Sequence, residues 1–196
     1  MRPTFRPLFL NAIRGLGGGE IWTARMTAAL AARGHRPIVA APDGAALHAI
    51  TPRREHFCFS ALNTPDFVPR LLRRVEDEQV THLVVTLLGG GLEAWVLDEL
   101  SRRLDRPRPI LLKIGLPPYP GSTAVDYGAG LHAAFRRLLV VCEHNRDAFL
   151  RAFPSLPGDY VRVLYTGVDH RRFSPQPGWP ASPRRRLGIP PHSPLL

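Results

Sequence analysis

The sequence of 196 residues contains two cysteines and a single lysine, Lys113, among its 26 basic residues. Cys58 and Cys142 have no metal-ligand spacing and lie in apolar runs that predict strands, so we expect two buried thiols in a reducing compartment. No uncharged apolar run reaches the ~18 residues of a membrane-spanning helix, and the apolar stretch after Arg2 and Arg6 is too short for a signal peptide. The sequence therefore predicts a cytoplasmic protein in which any membrane contact is peripheral.

The charge of the chain is strongly positive, because 26 lysines and arginines face 16 aspartates and glutamates, giving +10. The arginines are scattered in pairs, whereas a nucleic-acid interface typically shows one basic stripe with interleaved aromatic residues. We therefore expect no nucleic-acid partner. Two interpretations remain open: a solvated arginine-rich surface, or attraction to anionic lipid headgroups or a phosphorylated substrate.

Strand-like and helix-like stretches alternate along the first 165 residues. Apolar runs predict seven strands, at residues 5–11, 37–41, 55–60, 82–87, 109–114, 138–142 and 160–165. The helix predicted at residues 20–33 has an apolar stripe formed by Ile21, Trp22, Ala24, Met26, Ala28 and Ala29. This alternation, with near-continuous apolar strands, predicts an α/β fold: a Rossmann-like three-layer domain with a parallel sheet flanked by helices.

The composition changes after Phe173, where seven prolines fall between Pro175 and Pro194. Such a segment is typical of a linker or an extended arm. We therefore divide the chain into a Rossmann-like domain at residues 1–173 and a proline-rich linker at residues 174–196.

Ligands of parallel α/β sheets bind at the carboxyl ends of the strands, which directs attention to the loops at residues 12–19, 42–44, 88–91 and 115–121. The first loop is rich in glycine and precedes a helix, so its backbone N–H groups can approach a diphosphate. Three interpretations remain open. They are a dinucleotide site with Asp43 as the ribose-binding acid, a sugar-nucleotide site in which Glu20 accepts hydrogen bonds from hydroxyls, and a tight turn without a ligand.

The order of these features resembles the family 4 glycosyltransferases. In that family a first strand is followed by a glycine-glycine-x-glutamate loop and by a helix that ends in arginine-glycine-histidine. The corresponding residues here are Gly17-Gly18-Gly19-Glu20 and Arg33-Gly34-His35. The later features are Glu143 after the sixth strand, Tyr165-Thr166-Gly167-Val168-Asp169, and Phe173-Ser174-Pro175. These resemble the crossover into the family's second domain, so the resemblance covers residues 5–175.

The resemblance implies the N-terminal, acceptor-side half of a GT-B fold. It implies a retaining glycosyltransferase that moves a sugar from a nucleotide-diphosphate sugar to an acceptor hydroxyl, without a metal or another cofactor. The residues that would bind the donor are Gly17, Gly18, Gly19 and Glu20. The candidates on the side of a glycan, lipid-linked or small-molecule acceptor are Lys113, Tyr119 and Glu143. No catalytic residue is carried over, because Cys142 and Thr166 replace the usual serine and asparagine and no histidine follows the fifth strand.

The family's second domain binds most of the nucleotide, and its lysine-glycine clamp and paired glutamates have no counterpart after Phe173. We therefore expect a fragment or truncated product that is incomplete as a catalyst. One alternative is a non-catalytic acceptor-binding subunit completed in trans by a separate chain. Another is a dinucleotide-binding oxidoreductase. The expected location is the cytoplasm, including the inner face of an anionic membrane.

Overall fold

A computed structural model describes residues 5–51, 55–62, 64–86, 99, 102–103, 136–170, 173–174, 185–190 and 193, and the backbone of residues 110–114. The chain divides into two compact units, Met1–Tyr165 and Thr166–Leu196. The second unit contains a backbone hydrogen bond of 2.9 Å from the N–H of Phe173 to the carbonyl of Asp169. The first unit contains the sheet.

The sheet of the first unit has seven described strands, all parallel, in the order β3-β2-β1-β4-β5-β6-β7. The strands are β1 (Pro7–Leu10), β2 (Ile38–Pro42), β3 (His56–Phe59), β4 (His82–Thr86), β5 (Ile110–Ile114), β6 (Arg137–Val140) and β7 (Val161–Val163). This confirms the predicted parallel α/β sheet. The strand order reverses between β1 and β4, which is where such sheets place their ligands.

The helices with described bounds are α1 (Gly18–Ala31), α2 (Ala46–Ala49), α3 (Phe67–Asp77) and α4 (Glu143–Ala152). Asp66 occupies the N-cap of α3, but its side chain caps no N–H group of the helix. Its carboxylate instead lies 3.4 Å from the guanidinium of Arg70. The sequence also predicts helices near residues 92–104 and 125–137, but most of these residues lie outside the described part of the chain. In the part of the chain that the structure describes, no helix is long and apolar enough to cross a membrane.

The larger core lies on the face of the sheet that packs against α3 and α4. Leu8 and Leu10 point to this face, and Leu8 is paired in register with Ile38 and Leu83. The helix side chains buried against them are Phe67, Val68, Leu71, Val75 and Phe149. Side chains alternate between the two faces of a strand, so Phe9 belongs to the opposite core. This arrangement confirms the three-layer architecture.

Helix α1 covers the second face, where Phe9 and Val84 pack against Trp22. The predicted apolar stripe of this helix is partly wrong, because Ile21 and Ala28 are exposed while Thr23 and Thr27 are buried. The hydroxyls of the two threonines donate to the carbonyls four residues earlier, each at 2.9 Å. Because these internal bonds satisfy the hydroxyls, threonine can replace an apolar residue on the buried side.

The two cysteines depart from the expectation of buried thiols, because Cys58 is exposed and Cys142 is half-buried. Cys58 lies on β3, the edge strand of the sheet, and its sulfur lies 3.6 Å from Nδ1 of His48. Cys142 lies at the N-cap of α4. An apolar sequence run therefore does not distinguish an edge strand or a strand end from the sheet centre.

Candidate functional site

The glycine loop, residues 11–17, joins the carboxyl end of β1 to the first turn of α1. The backbone N–H of Asn11 donates to the carbonyl of Ala40 at 2.9 Å, which continues the pairing with β2 beyond the strand. The N–H of Ala46 donates to the carbonyl of Arg14, also at 2.9 Å. The glycine loop and the loop after β2 therefore lie side by side at the carboxyl edge of the sheet.

The side chains of Asn11 and Glu20 accept hydrogen bonds from the backbone of the glycine loop. Asn11 is 1% exposed and Glu20 is 3% exposed. The Asn11 Nδ2 donates to Oε1 of Glu20 at 2.8 Å, and Oδ1 of Asn11 accepts from the N–H of Ile13 at 2.8 Å. The other Glu20 oxygen, Oε2, accepts from the N–H of Gly17 at 2.7 Å. Both ends of the loop are thus bonded to one buried amide–carboxylate pair.

The first turn of α1 leaves backbone N–H groups available, as every helix start does. The first helical bond runs from the N–H of Ile21 to the carbonyl of Gly17 at 3.1 Å. The N–H of Gly17 is taken by Glu20, whereas among the described residues no side chain caps the N–H groups of Gly18 and Gly19. A Cβ atom at either of these two glycines meets no atom within 4 Å. Gly18 and Gly19 therefore combine backbone donors of the first helical turn with open space beside their Cα atoms.

Gly17 differs from its two neighbours in its contacts. A Cβ atom at this position would lie 3.0 Å from Oε2 of Glu20, the oxygen that accepts the Gly17 N–H bond. The absence of a side chain therefore permits the close contact between the loop backbone and the carboxylate. The backbone N–H of Gly17 is thus engaged within the loop.

The side chain of Arg14 joins the glycine loop to two neighbouring loops. Its Nη1 donates to the carbonyl of Asp43 at 3.1 Å, and its Nη2 donates to the carbonyl of Ser60 at 3.0 Å. Two apolar residues of the same loop, Ile13 and Leu16, are 42% and 57% exposed. The loop thus combines a fixed backbone with an exposed apolar tip.

Asn11 and Thr86 are buried polar residues at the carboxyl ends of central strands, and the apolar pattern of the sequence does not single them out. The Thr86 Oγ1 donates to the carbonyl of Leu10 at 3.1 Å, which ties the end of β4 to the end of β1. A signal was present in the sequence, since each follows an apolar run that predicts a buried strand. Buried polar groups at such positions are expected to be hydrogen-bonded.

The structure describes the remaining predicted site residues to different extents. Lys113 lies on β5, where its backbone is paired in register with Thr86 and Leu139. Only the backbone of this residue belongs to the described part of the structure. Tyr119 lies outside the described residues. Glu143 is exposed in the first turn of α4, 2.5 Å from Arg146. Strand topology thus places the backbone of Lys113 and Glu143 toward the carboxyl edge that carries the glycine loop.

No group of three or more His, Cys, Asp or Glu side chains suited to a metal occurs among the described residues. The buried carboxylate of Glu20 also has no cationic neighbour among the ion pairs of the described residues. Its charge is stabilised by the Asn11 amide, the Gly17 N–H and the amino end of α1.

The fold is similar to that of solved enzymes of nucleotide-sugar chemistry. A glycosyltransferase from Rickettsia africae ESF-5 matches with a TM-score of 0.67 and 13% identity, over 96% of this chain and 51% of the other. Anabaena Alr3699/HepE in complex with UDP-glucose matches with a TM-score of 0.64 and 15% identity, over 93% of this chain and 50% of the other. A UDP-GlcNAc 2-epimerase from Neisseria meningitidis, bound to UDP-GlcNAc, matches with a TM-score of 0.54 and 15% identity, over 81% and 46%.

The chain has a GT-B glycosyltransferase-like fold. It spans about half the length of these solved structures. No family model matches the sequence, and no curated protein matches it. Identities this low establish the fold alone, so the reaction has to be argued from the site.

Proposed function

We propose that this chain is the N-terminal, acceptor-side domain of a retaining glycosyltransferase similar to family 4. In this proposal it works with a second domain that binds most of the nucleotide. The sequence resemblance over residues 5–175 supports this assignment, and so does the fold likeness to glycosyltransferases over about half of their length. The proposed substrates are a nucleotide-diphosphate sugar and an acceptor that carries a hydroxyl group.

The observation that carries the proposal is the arrangement of Gly18 and Gly19. Their N–H groups belong to the first turn of a 14-residue helix at the carboxyl edge of the sheet, and the space beside their Cα atoms is open. Such groups stabilise a negatively charged diphosphate, helped by the partial positive charge of the helix amino end. The neighbouring Gly17 N–H is already bonded to Glu20, so of the predicted donor-binding residues Gly17, Gly18, Gly19 and Glu20 we propose that Gly18 and Gly19 contact the diphosphate directly.

The chemistry required is the stabilisation of a leaving diphosphate. In the transfer, the acceptor oxygen bonds to the anomeric carbon while the bond from this carbon to the diphosphate oxygen breaks. The diphosphate leaves with the bonding electrons, and its oxygen takes up the proton that the acceptor hydroxyl loses. Preorganised N–H donors stabilise the charge that develops on the leaving group.

The acceptor would bind along the ends of β4, β5 and β6. Lys113, Tyr119 and Glu143 remain our candidates for contacts with a glycan, lipid-linked or small-molecule acceptor. A cleft between this domain and a second domain would exclude water and hold both substrates. The proposed location is the cytoplasm, with the inner face of an anionic membrane as a site of peripheral contact.

Two-dimensional NMR of the ¹⁵N-labelled full chain tests the proposal, because it detects weak binding to a single domain. The probes are UDP-glucose, GDP-mannose, ADP-glucose and NAD. We expect at least one sugar nucleotide to shift the Gly18 and Gly19 amide resonances, and we expect no shift with NAD. Tighter binding of NAD than of every sugar nucleotide would favour the oxidoreductase alternative and overturn the proposal.

The likeness to an epimerase requires a second measurement. Chromatography of the UDP-sugar after incubation with the chain distinguishes transfer chemistry from epimerisation. We expect the sugar nucleotide to be recovered unchanged, since this domain alone is proposed to bind it without turnover. Accumulation of an epimer would contradict the proposed reaction class.

A further inference from the structure

The first unit contains a buried carboxylate, that of Glu20, at the place where we propose that a diphosphate binds. Glu20 is 3% exposed, and no cationic side chain forms an ion pair with it among the described residues. Burying a charge in this way is costly unless hydrogen bonds replace the lost water. A diphosphate beside the same loop adds further negative charge. The position of Glu20 therefore calls for an explanation beyond packing.

The hydrogen bonds give that explanation. The two Glu20 oxygens accept from different groups, Oε1 from Asn11 Nδ2 at 2.8 Å and Oε2 from the Gly17 N–H at 2.7 Å. Both Glu20 oxygens are therefore engaged by donors of the loop that precedes Gly18 and Gly19. The carboxylate thereby fixes Gly17, the residue immediately before those groups.

The Asn11 side chain has one orientation that satisfies its neighbours. Its Oδ1 accepts from the Ile13 N–H at 2.8 Å, and its Nδ2 donates to Glu20. Rotating the amide would place Nδ2 against the N–H donor and Oδ1 against the carboxylate, which loses both bonds. The chain of bonds from Ile13 through Asn11 and Glu20 to Gly17 therefore links the two ends of the loop.

We propose that Asn11 and Glu20 are positioning residues for the donor diphosphate. They hold the glycine loop so that the Gly18 and Gly19 N–H groups point at the phosphate oxygens before the donor arrives. Neither side chain contacts the donor in this account. The inference rests on the proposed function, since it explains how the same loop binds a nucleoside diphosphate. Preorganised donors bind an anion more tightly because the ordering cost is met during folding.

Reversing the polarity of one hydrogen bond tests this idea. Asn11→Asp places two carboxylates against each other, and Glu20→Gln places an amide NH₂ against one of two donors. In the double variant Asn11→Asp/Glu20→Gln, the introduced carboxylate accepts from the introduced amide. The amide oxygen still accepts from the Gly17 N–H. The total charge and every contact of the network are restored with one bond reversed.

Binding of UDP, GDP, ADP and inorganic pyrophosphate to the full chain is measured by NMR at a temperature where each variant is folded. We expect each single variant to weaken nucleoside diphosphate binding about tenfold, the effect of losing one charged hydrogen bond. The double variant should recover the wild-type affinity. If Asn11→Asp does not fold, comparison of Glu20→Gln with the double variant provides the same test.

Thr27→Val provides the matched control. Thr27 is buried in the same helix, and its hydroxyl donates to the carbonyls of Thr23 and Ala24, away from the loop. This variant should lower stability and leave nucleotide affinity unchanged. If its affinity falls in proportion to its stability, as in the other variants, the network is merely structural and the inference fails.

Two further outcomes separate the inference from the proposed function. If wild type binds a nucleoside diphosphate and both single variants bind it equally well, the positioning role is overturned while the proposed function stands. If no probe shifts the Gly18 and Gly19 amides of wild type, the proposed function is overturned, and the inference with it.

Discussion

Nη2 of Arg14 donates a hydrogen bond of 3.0 Å to the carbonyl of Ser60, which ties the glycine loop to the end of the edge strand β3. The same guanidinium reaches the carbonyl of Asp43 through Nη1 at 3.1 Å. One side chain thus joins the loops that follow β1, β2 and β3. Because the guanidinium carries several donors in a rigid plane, lysine cannot reproduce both contacts in this geometry.

Replacing Arg14 with lysine should therefore loosen the loop more than it destabilises the fold. The hydrogen bonds are exposed, so we expect a loss of less than about 1 kcal/mol in the free energy of unfolding. Amide hydrogen exchange in residues 12–17 should become faster. Arg33→Lys is the matched control, because Arg33 makes an exposed bond of 3.0 Å to the carbonyl of Ala29 at the far end of α1. Equal exchange rates in both variants would contradict the role given to Arg14.

Alanine substitutions at Gly17 and at Gly18 should have opposite effects on the free energy of unfolding. At Gly17 the new Cβ lies 3.0 Å from Glu20 Oε2, so the carboxylate must shift, and we expect a loss of about 1 to 2 kcal/mol. At Gly18 the Cβ meets open space within the first turn of α1, so alanine should stabilise the helix by up to about 1 kcal/mol. Urea unfolding measures both effects. If Gly18→Ala is also less stable, the open space assigned to that position is wrong.

The fold could be predicted from the sequence because its strands are short, apolar and buried on both faces. The central strands show this most directly, since every residue of β1 and β2 is buried. Helix α1 was predicted less well, because burial of Thr23 and Thr27 depends on hydrogen bonds that an apolar pattern does not record. Cys58 was misplaced for a related reason, since the position of β3 at the sheet edge is a property of the topology.

The candidate site could be located but not resolved from the sequence. The glycines marked the loop, because their spacing before a helix has a direct physical meaning. The different contacts of Gly17, Gly18 and Glu20 could be assigned only from the structure, since they depend on which N–H group the carboxylate reaches. Asn11 was missed because its role arises from a contact with a residue nine positions away.

Glu78 should be the most sensitive surface carboxylate. It forms ion pairs with Arg6 and with Arg74, and its side chain is 21% exposed between guanidinium groups that are 15% and 31% exposed. Glu78→Gln leaves two partly buried cations without their counter-charge, so we expect a loss of about 1 to 3 kcal/mol, measured by urea unfolding. Asp66→Asn is the control, because its pair with Arg70 is well exposed and should contribute little. A comparable loss in the control would refute this ranking.

Stability should fall as the solution is acidified through the histidine range. Burial lowers the pKa of His82, whose ring packs edge-on against Phe5 with centroids 5.4 Å apart. Burial also lowers the pKa of His48. As the pH falls, these histidines therefore bind protons in the unfolded chain before they do so in the folded chain. The free energy of unfolding that they contribute above the ordinary histidine pKa is lost as the pH falls from about 7.5 to about 5. His82→Gln should flatten this dependence, whereas His144→Gln, at an exposed position on α4, serves as the control. An unchanged slope in His82→Gln would contradict the assignment.

Tyr160 should govern part of the loss of stability at alkaline pH. Burial raises the pKa of its phenol to about 12, although the nearby Arg137 opposes the shift. The unfolded chain then loses the phenolic proton first, so stability present below the ordinary tyrosine pKa is lost as pH rises toward the folded value. Between about pH 9 and about pH 11 this contribution amounts to about 1 kcal/mol.

Tyr160→Phe should remove that contribution, and unfolding in urea at the two pH values measures the difference from wild type. Tyr165→Phe is the matched control, because Tyr165 is 63% exposed whereas Tyr160 is 8% exposed. Ultraviolet absorbance of the folded protein provides an independent reading, since the tyrosinate signal lost in Tyr160→Phe should appear at higher pH than the signal lost in Tyr165→Phe. If the two signals appear at the same pH, the Tyr160 ring is not buried beside β6 and β7 as the structure places it.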